Sequence, residues 1–137
     1  PQVCYDLRFP IFSRNRDDYD IMLYVANWPI ARREQWLTLL KARAIENLSY
    51  VVAVNRVGHE KPDDGGDGIE FWGNSFLCDP FGVVLVEAST DKEEVLLAEI
   101  DLNRIEEIRR SWPFLRDRRV DTYSKITNRF LDEDGEG

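Results

Sequence analysis

The stretch IMLYVANWPIARREQWLTLLKARAIENLSYVVAV, residues 21–54, decides the fold class. It opens on the apolar run Ile21 to Ala26 and closes on a second, Tyr50 to Val54. Neither run alternates with polar residues, so both predict strands covered on both faces. Between them Trp36, Leu40, Ala44 and Leu48 recur at spacing four. Leu37, Leu39 and Ile45 widen that stripe, which predicts a helix over 33–47. Strand, helix and strand in this order make a crossover with the helix laid on a sheet.

Working outward from that unit, His59 to Gly68 holds three Asp, three Gly and a Pro, which predicts a loop. Asn74 to Cys78 and Val83 to Val86 read as a hairpin turned by Asp79-Pro80-Phe81-Gly82. Val95 to Ile100 reads as a further strand. Asp101 stands at an N-cap, and Leu102, Ile105 and Ile108 continue a helix toward Pro113. A layered α/β protein follows, one domain over 1–130, while the pairing order of its strands stays open.

The net charge of −8 includes four acids of the tail Leu131 to Gly137, read as a disordered, solvated end, so the rest carries −4. That balance argues against a nucleic-acid or anionic-membrane partner. Arg109, Arg110, Arg116, Arg118 and Arg119 lie among Trp112 and Phe114. Glu106, Glu107, Asp117 and Asp121 offset them, which suits an interface rather than a nucleic-acid surface. No apolar run approaches the ~20 residues of a membrane span, and no secretory leader is expected before the first strand. Cys4 and Cys78 lie far apart, with no CxxC and a single histidine. The expectation is therefore no disulfide, no metal, no cofactor and a reducing cytoplasm.

Cys4, in PQVCYDLRFP, ends a short extended stretch and precedes a turn. Two readings are open: a buried strand cysteine, or a nucleophile whose neighbouring N–H faces a developing oxyanion. Cys78 keeps the first reading. His59 raises a Cys–His pair, but it stands in a polar loop with no orienting partner, so a solvated histidine is preferred. Asp63 to Gly68 lacks the carboxylate that a calcium loop needs at its twelfth position, Asn74.

Asn27 and Trp28 follow the strand that ends at Ala26, and Arg56 follows the next one. Ligands of open α/β sheets gather at such strand ends. Trp28 is either a pocket wall or a core residue. Arg56 either meets a substrate carboxylate or pairs with a nearby acid. Asp6 and Arg8 are read as braces of the turn.

The segment Val3-Cys4-Tyr5-Asp6-Leu7-Arg8-Phe9-Pro10 resembles the nucleophile segment of the nitrilase superfamily, the carbon–nitrogen hydrolases. The likeness continues through Tyr24 to Pro29, Ala42 to Asn47, Asn55 to Gly58, Gly73 to Ser75, Asp79 to Gly82 and Arg116 to Arg119. It is greatest to the ω-amidase branch, and SWPFLRDRRVDTY also resembles enzymes that hydrolyse N-carbamoyl amines.

The resemblance implies the C-terminal half of an α-β-β-α sandwich. It also implies attack by Cys4 on a small carboxylic-acid amide, with the Tyr5 N–H at the oxyanion site, and a thioester intermediate. Asn27, Trp28 and Arg56 are the residues expected to meet substrate. The family's general-base Glu and its Lys lie upstream of the nucleophile, and here only Pro1, Gln2 and Val3 precede Cys4. Glu46 is expected to be a structural hydrogen-bonding residue beside the site, and Lys41 has no counterpart as the catalytic lysine. The chain alone is therefore expected to be inactive, because an unassisted thiol near pKa ~8.5 is only a few per cent thiolate at pH 7. It is expected to need the N-terminal half, to expose one sheet face without it, and to form a homodimer. The alternatives are an N-carbamoyl amine amidohydrolase, or a non-catalytic half-domain for dimerisation or partner binding.

Overall fold

The computed structural model describes residues 1–16, 18–63 and 65–126, so the acidic tail expected at 131–137 lies outside the described residues. Strands β1 (Gln2–Val3), β2 (Ile21–Ala26) and β3 (Tyr50–Asn55) run parallel to one another. Strands β6 (Phe76–Cys78) and β7 (Val84–Glu87) continue the sheet antiparallel, giving the order β1-β2-β3-β6-β7. A short α1 (Pro10–Ser13) lies between β1 and β2, and α2 (Arg33–Asn47) makes the crossover between β2 and β3. A separate hairpin, β4 (Val57–Glu60) with β5 (Ile69–Trp72), follows β3, and α3 (Leu102–Ser111) comes after β7.

Helix α2 has the predicted bounds because its stripe has a surface to meet. Trp36, Leu40 and Ala44 are buried against the face made by Met22, Tyr24, Val51, Ala53, Phe76 and Cys78. The helix stops at Leu48, whose φ of 45° is left-handed, and the Ser49 N–H then returns to the Ala44 carbonyl at 3.2 Å. Ile45, predicted to widen the stripe, is exposed. Asp79 Oδ1 accepts the Phe81 and Val83 N–H groups at 2.9 and 3.0 Å, which closes the predicted turn. Asp101 caps α3 through the Asn103 N–H at 3.0 Å.

Further expectations are corrected. The apolar runs are not covered on both faces: in β2, Met22, Tyr24 and Ala26 are buried, while Ile21, Leu23 and Val25 face outward, with Val25 54% exposed. Among the described residues that second face is covered toward one end, where Ile105 of α3 packs on Tyr50 and Leu77, with Ile100 against them. Val3, Leu23, Val25 and Val54 stay open, the exposed sheet face foreseen for a half-domain. An apolar run marks a surface that favours burial, but it does not supply the element that buries it.

Another correction concerns Val95 to Ile100, which has no strand partner among the described residues. Leu96, Ala98 and Ile100 line a cavity over Val52, Val54, Leu77 and Val86, while Val95 and Leu97 are each 88% exposed. The alternation of a strand is present, but the neighbour that would complete a ladder is not. His59, predicted in a loop, belongs to β4.

Candidate active site

Because β1 and β2 are parallel, with Val3 paired to Val25, their carboxyl ends lie side by side. Cys4 follows one end, and Asn27 and Trp28 follow the other. All three line one cavity of about 480 Å³, together with Tyr5, Arg8, Pro29 and Arg32. The cavity brings together four of the five site residues expected from sequence. The fifth, Arg56, lies elsewhere: its guanidinium meets Glu60 at 2.7 Å and stacks over Phe71 at 4.5 Å, the ion-paired one of its two readings.

Cys4 begins a 3₁₀ turn over Cys4–Arg8 with a φ of 44°, a conformation that costs a non-glycine residue roughly 1–2 kcal/mol. The surroundings hold it there. The Asp6 carboxylate accepts the Val3 N–H at 2.9 Å, and the Phe9 N–H donates to the Asp6 carbonyl at 3.0 Å. Leu7 is wholly buried beneath the turn. Asp6 thus braces the turn as expected, whereas Arg8 points a guanidinium over the Trp28 ring, 5.2 Å from its centroid.

Trp28 satisfies both of its readings, being only 3% exposed while lining the cavity. Asn55, at the end of β3, fixes it. Its Oδ1 accepts the Trp28 N–H at 2.7 Å, and its Nδ2 donates to the Trp28 carbonyl at 3.1 Å and to the Gly73 carbonyl at 2.8 Å. The indole N–H donates to the Arg32 carbonyl at 2.6 Å, and the Trp36 ring lies 5.6 Å away.

Among the described residues, the lining includes Arg8 and Arg32 and no Asp, Glu, Lys or His. The cavity can therefore hold an anionic group near a thiol, but it offers that thiol no side-chain base. The His59 ring meets the Asp67 carbonyl at 3.2 Å in the β4–β5 hairpin and does not line the cavity. Cys78 is fully buried, and burial, with Asp79 adding to it, pushes its thiol up to about 12.

The sequence assigns no role to Arg32, Arg43 or Asn55, although Arg43 and Asn55 stand in stretches that carry the family likeness. Arg43, from α2, donates to the Leu7 carbonyl at 2.7 Å. The chemical signal was that Asn55 ends an apolar strand, and a buried polar side chain must find partners. Nothing local told which partners those were.

The carbon–nitrogen hydrolase family model matches residues 1–110. The chain is 48% identical over 117 residues to an omega-amidase of Yersinia enterocolitica, covering 85% of this chain and 44% of that protein. It is 41% identical over 123 residues to a 2-oxoglutaramate amidase of Bacillus subtilis, covering 88% and 45%. A carbon–nitrogen hydrolase crystal structure from Helicobacter pylori superposes with a TM-score of 0.85 at 37% identity, over 94% of this chain and 48% of that one. The chain thus spans less than half the length of the relatives it matches. With the family model covering most of its residues and the mixed α/β sheet matching that structure, the chain belongs to the carbon–nitrogen hydrolase family.

Proposed function

We propose that this chain carries the nucleophile half of a cysteine-dependent amidohydrolase acting on the terminal amide of a small carboxylic acid. The observation that carries this reading is the cavity itself, which Cys4 lines together with Arg8 and Arg32, with no carboxylate among its described lining residues. A guanidinium recognises a carboxylate by paired, charge-assisted hydrogen bonds, so an ω-amide can anchor its acid end there and present its amide to the thiol. The names of the Yersinia and Bacillus relatives support the same substrate class.

In this reading the Cys4 thiolate forms a bond to the amide carbon, and the carbonyl oxygen becomes an oxyanion facing the Tyr5 N–H. Collapse breaks the C–N bond, and ammonia leaves with a proton from a general acid. Water then cleaves the thioester, releasing the acid and restoring the thiol. Asn27 and Trp28 shape the acyl end of the cavity. Arg56 would take part only by leaving Glu60. The proton transfers need the Glu and Lys that the family places upstream, which this chain would receive from the rest of the domain. Arg8 and Arg32 disfavour those N-carbamoyl amines, the alternative substrate class, that carry a second, cationic amine. Exposed Trp112 and Val120 support a homodimer formed through the C-terminal segment, and the two free thiols fit a reducing compartment.

The test is a chimera that joins this chain to the part of the Yersinia relative it does not match, assayed for ammonia release from 2-oxoglutaramate. Turnover is expected, with a loss of at least about a thousand-fold in Cys4→Ala. A folded chimera without Cys4-dependent turnover would sink the proposal. Equal turnover by the 137-residue chain alone would sink the claim that it needs the other half.

A further inference from the structure

We infer that Arg43 is a positioning residue for Cys4, holding the nucleophile turn in its left-handed conformation from beneath. The inference rests on the proposed role of Cys4, and it concerns a residue that touches neither substrate nor thiol.

The turn is anchored at two ends. Upstream, Val3 is fixed by its pairing with Val25 and by the Asp6 carboxylate on its N–H. Downstream, the Leu7 carbonyl receives Arg43 Nη2 at 2.7 Å, from a residue 36 positions away on α2. The Arg43 side chain is only 5% exposed, so this cation is withdrawn from water and must be matched by its partners. Glu46, one turn along α2, takes Nη1 at 3.1 Å. The Asn47 Nδ2 donates to the Arg43 carbonyl at 2.9 Å, and the Asn15 N–H donates to Asn47 Oδ1 at 2.8 Å. A planar guanidinium can address a carbonyl and a carboxylate in two directions at once, which an ammonium does less well.

The chemistry explains why the anchor matters. Cys4 has a φ of 44°, and no glycine is present to make that conformation easy. Without Arg43 the buried Leu7 carbonyl loses its charged donor, and the turn gains by unwinding to find another. Unwinding releases Cys4 toward ordinary backbone angles and carries the Tyr5 N–H with it. A nucleophile misplaced by about 1 Å costs on the order of a hundred-fold in rate.

The experiment compares Arg43→Met and Arg43→Lys with Leu40→Ala, a core change on the same helix that serves as the stability control. The ¹³Cα and ¹³Cβ shifts of Cys4, which report backbone conformation, are read by NMR in the 137-residue chain. The constants kcat and KM are read in the chimera described above. Arg43→Met is expected to move the Cys4 shifts out of the left-handed range and to lower kcat roughly 10- to 100-fold with KM unchanged. Arg43→Lys is expected to restore part of both, while Leu40→Ala lowers Tm without moving either.

Cys4 shifts and kcat that move no further in Arg43→Met than in Leu40→Ala would overturn the inference. If Arg43→Met does not fold, Arg43→Lys decides alone, and wild-type shifts with wild-type kcat would overturn it. A chimera with no amidase activity would refute the proposed function, and the Cys4 shifts would still decide the role of Arg43.

Discussion

Cys4 and Cys78 are the same side chain in opposite settings, and the difference is testable. Cys4 opens on a cavity, whereas Cys78 lies between Val51 and Val84 on the helix-covered face, beside Asp79. Iodoacetamide is expected to label Cys4 alone in the folded chain and both thiols in urea, read by peptide mass. Native labelling of Cys78 would show that its burial is wrong. Burial, then Asp79, raises its thiol to about 12. The folded state therefore keeps a proton that the unfolded state loses above about pH 9. The associated stability is complete below pH 9 and falls as pH rises toward 12. Urea midpoints at pH 8 and 10.5 should drop less in Cys78→Ala than in wild type; equal drops would contradict the assignment. Asn55→Ala removes the partners of three backbone groups and is expected to cost about 2–4 kcal/mol in urea unfolding. A loss below about 0.5 kcal/mol would mean that Trp28 is held by other means.

At the scale of elements, α2 and the segment 95–100 show when a pattern becomes structure. The α2 stripe found a sheet face, and its helix formed over the residues its spacing predicts. The segment 95–100 has strand alternation yet no ladder among the described residues, since a strand is completed only by a neighbour. Amide exchange follows directly. The Val95 to Glu99 amides should exchange near the rate of an open peptide in the chain alone and become protected in the chimera. Protection in the chain alone, or none in the chimera, would count against an unfilled strand position. The β4–β5 hairpin depends on a tighter constraint. Gly73 has a φ of 68°, and a Cβ there would stand 2.4 Å from Val57 Cγ1. Gly73→Ala should therefore cost about 1–3 kcal/mol in urea unfolding, through strain and the displaced Val57.

For the whole molecule, the dominant feature is a sheet covered on one side. Val3, Leu23, Val25 and Val54 form an apolar face that a soluble domain ordinarily covers. The proposed half-domain supplies the reason, and the chimera supplies the check. The chain alone is expected to bind the dye ANS and to self-associate in light scattering, while the chimera does neither. Val25→Asp should reduce that self-association without much change in secondary structure, because its side chain meets solvent here, and it should impair folding of the chimera. A monodisperse chain with no ANS binding would mean that the face is covered in some other way.

The residues alone settled what depends on near neighbours. Helix α2, the Asp79 turn, the Asp101 cap and the place of Cys4 at a strand end all follow from periodicity and backbone preference over a few positions. The motif order from Val3 to Arg119 also carried the family. The tertiary structure decided what depends on distant neighbours. Arg43 reaches Leu7 across 36 positions and Asn55 reaches Trp28 across 27, which no local pattern encodes. It also put Arg8 and Arg32 in the cavity that Cys4 lines and left one face of β2 open. Hydrophobicity specifies how much surface favours burial, and only the packed chain determines which surfaces and charges come to lie together.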